Sequence, residues 1–297
     1  MGQAEEAVDV INAVFGRHAG SRASHAKGTL CRGTFRATPA AAALTRAAHM
    51  SGDPVDATVR FSNSSGRPDS DDRRPDVRGM AATFHLPDGS RTDVLAATMP
   101  CFVARTPEDF IAFTRATLPS PRTGRSRLLA LGRHLLRHPE SVRGALARAT
   151  MRPVRSYACC RYEALHAYRW VDREGRARSV RYRWLPLSTA AAVDRKGDPN
   201  FLRREIAERL AAGTVRFAFE VQIAGDGDPT GDATRSWPSR RRRVVAGTLE
   251  LDSVESPGGG EALAFDPARL TDGIELSDDP LVPFRSEAYA VSVARRS

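Results

Sequence analysis

Apolar residues fall at every second position through Phe217, Phe219, Val221 and Ile223, the period of a strand with one buried face. Residues 59–62 show the same period in mixed form: Val59 and Phe61 share one face, Arg60 and Ser62 the other. Shorter strand patterns lie at 30–35, 55–61, 79–86 and 92–96, with Pro87, Asp88, Gly89 and Ser90 as a hairpin turn between the last two. Strand patterns return at 162–171, 178–185 and 244–251. Elsewhere the period is helical. Thr106 stands as an N-cap before Pro107, with Asp109 at the third helical position and Phe110, Ile111 and Phe113 as apolar contacts. Residues 125–137, bounded by Pro139, read as a second helix, and a third starts at Asp198 and Pro199 with Leu202, Ile206 and Leu210 on one face. Strand runs joined by short turns, then helices, then strands again, predict an α+β domain built on an antiparallel sheet.

Composition adds limits to this picture. With 297 residues and no low-complexity linker, residues 1–297 read as a single domain large enough to hold a sizeable cofactor. The formal net charge is +10, which raises the question of nucleic acid, yet Lys27 and Lys196 are the only lysines and arginine carries the rest. The basic run 240–243 lies between Trp237-Pro238 and the 244–251 strand, without the interleaved aromatics of a single-strand platform. It is read as a solvated loop, and no nucleic-acid partner is expected. Cys31, Cys101, Cys159 and Cys160 show no C-x-x-C spacing, and Cys159 and Cys160 as strand neighbours would point to opposite faces, so free thiols are expected. No apolar run reaches the ~18 residues of a membrane span. The acidic start at residues 3–6 is unlike a basic signal peptide, so no membrane partner and a cytoplasmic location are expected.

Two clusters carry candidate chemistry. On a helix Arg285, Tyr289 and Arg296 recur at i, i+4 and i+11, setting a phenol oxygen between two cations on one face. A cation one turn away favours the ionised phenol, which is a ligand for ferric iron. Near the start, Arg22, His25, Ala26, Lys27 and Gly28 precede the first strand, and the polar Arg60–Ser62 face suits a lined pocket.

In this order the two clusters resemble the distal R-x-x-H-A-K-G and proximal R-x-x-x-Y motifs of the haem catalase superfamily. The similarity extends through Val59-Arg60-Phe61-Ser62, through residues 76–81 as D-x-R-G-x-A, and through 100–110, a stretch ending at Phe110. It continues through Trp237-Pro238, Phe265-Asp266-Pro267 and Gly273-Ile274-Glu275, and so is nearly continuous from about residue 15. The resemblance implies a closed antiparallel β-barrel with flanking helices and a haem b whose iron is bound by Tyr289, tyrosine being the known haem ligand of catalases. It places Arg285 against that phenolate, Arg22, Arg60 and Arg296 at the propionates or the proximal face, and Phe110 beside the distal face. It makes His25 the proton-transfer group, oriented by a hydrogen bond that Ser62 accepts, and puts Asp76 in the substrate channel. Peroxide cleavage to an oxoferryl state and its reduction by a small-molecule electron donor would follow, in a homo-oligomer.

The departures from the motif bear on the reaction. Where full-length members carry G-N-N-x-P, this chain reads Ala96-Ala97-Thr98-Met99-Pro100, so Ala97 takes the place of the distal carboxamide. Loss of a preformed donor to peroxide should weaken disproportionation of hydrogen peroxide, with Thr98 as a shorter substitute. The chain also stops just after the proximal helix, without the long N-terminal arm and the C-terminal helical segment of full-length members. This pattern resembles the small catalase-related peroxidases. The expected function is therefore reduction of organic hydroperoxides, with weak catalase activity at most. The alternatives are a fatty-acid hydroperoxide isomerase or lyase on the same scaffold, and a non-enzymatic haem- or nucleic-acid-binding protein.

Overall fold

In the computed structural model, which describes residues 2–118, 128–189, 197–255 and 263–296, the alternating segments join one sheet. Its strands are β1 (Gly28–Ala37), β2 (Val55–Asn63), β3 (Arg78–His85), β4 (Arg91–Ala97), β5 (Tyr162–Glu163), β6 (Tyr168–Val171), β7 (Ala177–Pro186), β8 (Val215–Ile223), β9 (Arg243–Val254) and β10 (Ile274–Leu276). Around the sheet lie α1 (Gln3–Phe15), α2 (Pro39–Ala42), α3 (Pro107–Ala116), α4 (Leu128–Arg137), α5 (Val142–Ala149), α6 (Phe201–Ala212) and α7 (Leu281–Ala294). Hydrogen bonding runs in the order β7, β5, β4, β3, β2, β1, β9, β8, and β8 pairs with β7 to close an eight-stranded antiparallel barrel. β6 pairs with the other end of β7, and β10 pairs with β6.

Alternation fills the barrel. Phe35, Phe61, Phe84, Trp184, Phe217 and Phe219 are all buried within it. The Trp184 and Phe219 rings lie 4.5 Å apart and those of Phe35 and Phe84 4.8 Å apart, close aromatic packing that supplements their burial. Gly247 is required on β9 because a Cβ there would overlap the Phe35 ring. The opposite face of β2 carries Arg60 and Ser62, which are buried because other elements cover the outside of the barrel. Ala7 and Val10 of α1, Ile111 of α3 and Leu281 and Phe284 of α7 form one apolar cluster among these outer elements.

The 87–90 turn forms as expected, with Gly89 at φ +82° and its N–H bonded to Leu86. Thr106 Oγ1 accepts from Asp109 N at 3.2 Å, capping α3. Three expectations change and one falls partly outside the described residues. The 162–171 strand breaks between β5 and β6, because residues 165–167 leave the ladder and carry His166 to a partner on a distant segment. The helix placed at Asp198-Pro199 begins at Phe201: the Asp198 carboxylate accepts from Asn200 N and Arg204 Nε, forming a turn ahead of it. Of the helix expected at 125–137, residues 125–127 lie outside the described residues. Cys159 sits in the 3-10 turn Tyr157–Cys159, not in a strand. α1 was not expected at all, although Ala4, Ala7 and Val8 trace its buried stripe.

The four cysteines are free, and burial pushes the Cys31 and Cys160 thiols up to about 12, which makes them poor nucleophiles. In the basic run, Arg241 pairs with Asp228 at 2.7 Å and Arg243 with Glu220 at 3.5 Å. Among the described residues no helix is long and apolar enough to cross a membrane.

Candidate active site

The registers of β1 to β4 set Gly28, Ser62, Gly79 and Ala97 side by side in one row. Directly opposed residues of an antiparallel sheet present side chains on the same face, so this row is the floor on which His25 lies. His25 has φ +55°, the only positive value at a non-glycine among the described residues. Its N–H bonds to Ser64 O at 3.2 Å and that of Ala26 to Ser65 O at 3.0 Å, so the 64–65 loop holds the backbone in this disfavoured turn. His25 Nδ1 and Ser62 Oγ are hydrogen-bonded at 2.9 Å. A Cβ on Gly79 would stand 2.8 Å from Ser62 Oγ and 2.9 Å from His25 Nδ1, so glycine is what lets the imidazole lie flat on the row.

Gly28 serves the neighbouring arginine in the same way. A Cβ there would strike the Arg60 guanidinium, which donates from Nη2 to Ala26 O at 3.0 Å. Lys27 points elsewhere: its Nζ is 2.8 Å from the buried Asp72 carboxylate and donates to Ser70 O and Pro199 O, a structural tie. Asp76 accepts from Val77 N at 2.8 Å and bonds Ser64 Oγ, anchoring the loop beside His25. Burial lowers the His25 pKa to about 4, with Arg60 adding to the effect, Asp76 opposing it, and Arg285 and Arg22 lowering it further. The ring is therefore neutral at physiological pH, and charges from both sequence clusters reach it.

The second cluster lies on α7. Asp279 Oδ1 accepts from Leu281 N at 3.0 Å, which ties it to the first turn of that helix. Its Oδ2 is 2.7 Å from His166 Nδ1, and His166 Nε2 is 2.7 Å from Arg285 Nη1. Arginine only donates, so Nε2 accepts and Nδ1 carries the hydrogen given to Asp279. Burial lowers the His166 pKa against the pull of Asp279, in keeping with a neutral ring between two charges. Arg285 Nη2 then donates to the Tyr289 hydroxyl at 2.6 Å. Phe102 packs 5.8 Å beneath the Arg285 guanidinium and stacks on Phe110 at 5.6 Å, while Phe284 meets Phe110 edge-on at 6.0 Å.

Arg296 lies one residue beyond the helix cap, its N–H bonded to Val293 O, and shares a small groove with Arg22 between α1 and α7. Arg22 also donates to Leu263 O at 2.5 Å. Thr98 Oγ1 accepts from Arg78 N at 2.9 Å and its own N–H bonds Arg78 O, so it continues the β3–β4 ladder while keeping a hydroxyl proton to give. Sequence reasoning missed His166, Asp279 and Phe102. Asp279 had a readable signal, an aspartate before Pro280 at a helix start. His166 had none, being hidden in a strand-like run.

A family profile for catalase matches residues 8–297. The chain belongs to the catalase family. It is 46% identical to a catalase-related peroxidase of Mycolicibacterium paratuberculosis, over 99% of this chain and 94% of that one. A catalase-related peroxidase of Synechococcus elongatus is 31% identical over 99% and 88%. A bacterial catalase structure superposes with a TM-score of 0.81 at 22% identity, over 94% of this chain and 58% of that one, which shows the shared fold.

As a catalase-family protein, the chain is an oxidoreductase acting on peroxide, and the family is generally haem-dependent. The residues present fit such a group. The charges of Arg22, Arg60 and Arg285 reach His25 with Asp76 as the opposing charge, a cationic environment suited to a dicarboxylate cofactor. The Tyr289 oxygen faces a fixed cation at 2.6 Å. Ala97 stands next to Gly79 in the floor row and offers no side-chain donor.

Proposed function

We propose that this protein is a haem b peroxidase that reduces organic hydroperoxides with a small-molecule electron donor and disproportionates hydrogen peroxide only weakly. The observation that carries the reading is a neutral His25 hydrogen-bonded to Ser62, in a row where Ala97 stands opposite Gly79 and offers no donor. The similarity to the two catalase-related peroxidases supports it.

Tyr289 would bind the iron, Arg285 would face its oxygen, Arg22, Arg60 and Arg296 would meet the propionates or the proximal face, and Phe110 would lie on the distal side. Haem held in this way supplies the two electrons that break the peroxide O–O bond. The protein's part is proton transfer and orientation. With Nδ1–H donating to Ser62, His25 Nε2 presents a lone pair, takes the proton from the terminal peroxide oxygen and returns it to the oxygen that leaves as alcohol. The overall change is ROOH + 2H⁺ + 2e⁻ → ROH + H₂O, with two one-electron donors restoring the resting state. Thr98 is the hydroxyl available to the bound peroxide in place of a carboxamide.

The test compares the wild type with Tyr289→Phe, both expressed with haem precursor. A ferric Soret band altered or lost in the variant is expected. Donor oxidation by an alkyl hydroperoxide should outpace oxygen release from hydrogen peroxide in the wild type, with alcohol as the organic product. Faster oxygen release would overturn the peroxidase assignment, and an epoxide or aldehyde product would replace it with isomerase or lyase chemistry.

A further inference from the structure

Next to Phe110 on α3, a second group of ligand-type side chains is gathered that the peroxide chemistry does not use. Asp109 in the first turn of α3, His138 just past α4 and Glu140 in the turn Pro139–Ser141 each bring one ligand atom within 4.8 Å of the other two. His138 Nδ1 is 3.3 Å from Asp109 Oδ1 and 3.3 Å from Glu140 Oε1. A ring nitrogen has a single in-plane lone pair or proton, so it cannot serve two acceptors well, and both distances exceed the ~2.7–2.9 Å of a charge-assisted hydrogen bond. They match the edge of a metal tetrahedron, since bonds of about 2.0–2.1 Å leave neighbouring ligands about 3.3–3.4 Å apart.

His134 packs in the same place. It precedes His138 by one helical turn and stacks on it, with centroids 4.4 Å and planes 17° apart. It is only 8% exposed, its Nε2 has no hydrogen-bond partner, and the charges of Asp109 and Glu140 both act on its ring. Its plane is nearly parallel to that of His138, so one ion cannot lie in both ring planes, and His134 acts on the site by packing against the His138 ring. Phe113 holds the His134 ring edge-on at 5.6 Å, so its position is set by packing against α3.

The geometry points to a first-row divalent metal site formed by Asp109, His138 and Glu140. One imidazole with two carboxylates suits Zn²⁺, Mn²⁺ or Fe²⁺, whereas Mg²⁺ and Ca²⁺ take oxygen-only sets. The ion anchors: it fastens α3, which carries Phe110, to α4 and the following turn, without entering the reaction with peroxide.

The test is calorimetric titration with Zn²⁺ of the haem-loaded protein, cleared of loose metal with EDTA and desalted. One micromolar site per chain is expected. Asp109→Asn, His138→Gln and Glu140→Gln should each weaken it by about 100-fold or more, since even outer-sphere partners of a bound metal are worth about 10–100-fold. His134→Phe, which keeps the stacked ring and removes the nitrogen, should leave the affinity unchanged, and a loss there as large as in His138→Gln would overturn the three-ligand form. No micromolar site in the wild type, or unchanged affinity in Asp109→Asn and His138→Gln, overturns the site itself. Thermal melts guard against misfolded variants: Zn²⁺ should raise the Tm of the wild type and leave a cooperatively melting His138→Gln unmoved, and an equal rise in both contradicts the assignment.

Discussion

The two sides of the candidate active site are built to different standards. On the α7 side Tyr289, Arg285, His166 and Asp279 form an unbroken chain of three hydrogen bonds, each 2.6 or 2.7 Å, ending at a helix start. On the barrel side His25 has one side-chain contact, to Ser62 at 2.9 Å, above a floor of two glycines and an alanine. The first arrangement fixes an oxygen in place, because each group's orientation is dictated by the next. The second leaves one imidazole nitrogen without a hydrogen bond among the described residues. Stability should therefore respond mainly to the α7 side and turnover mainly to the barrel side.

Breaking the barrel side should have the largest effect. His25→Gln is expected to lower peroxide cleavage by about 10²–10⁴-fold, the usual worth of a positioned proton-transfer group, with haem uptake retained. Stopped-flow loss of the resting spectrum with an alkyl hydroperoxide measures this. Ala97→Asn sharpens the contrast by restoring a donor to the floor row. Oxygen release from hydrogen peroxide should rise by up to about 10²-fold, the lower worth of one preorganised donor, while alkyl hydroperoxide turnover changes little. An oxygen-electrode trace that stays flat would mean that Ala97 does not set the balance.

Asp279→Ala addresses the other side. It leaves His166 Nδ1–H and the Leu281 N–H without their acceptor, at a cost of about 1.5–3 kcal/mol for a hydrogen bond to a charged group. Urea unfolding should show this loss, with peroxide cleavage falling less than in His25→Gln. The smallest effect concerns pH. Burial holds His25 near a pKa of about 4 and His49, away from both sides, near about 3. The unfolded chain binds protons at both positions once pH drops below about 6.5, whereas the folded protein does not, so stability is full above that pH and falls as pH decreases towards 4. In haem-free protein His25→Gln should flatten part of this decline and His49→Phe a further part, as seen by unfolding at several pH values.

Much of the barrel was legible because its strands are half-buried and obey a period of two. Phe217, Phe219 and Val221 alternate and are buried; Val59 and Phe61 point inward while Arg60 and Ser62 line the outer face. The α3 cap was readable from Thr106 and Pro107 alone. Less legible were segments whose structure depends on remote partners. Residues 165–167 lie inside a run bounded by strand patterns, yet the bond between His166 and Asp279 draws them out of the ladder. The start of α6 moved because Asp198 found Asn200 and Arg204, and because Pro199 O is taken by Asp72 N and Lys27 Nζ.

The sequence by itself determined the kinds of groups present and their local attitude: a phenol one helical turn from an arginine, a histidine ahead of a strand, a serine and an arginine on one strand face. These follow from 3.6- and 2-residue periods, which act between neighbours. Tertiary structure alone decided which groups meet. Ser62, Gly79 and Ala97 become one row only through the registers of three strands, and Arg285 joins His166 only when the chain beyond β10 folds back across the barrel. Hydrogen bonds and charges act through space, and the distances between residues far apart along the chain are fixed only once the sheet closes.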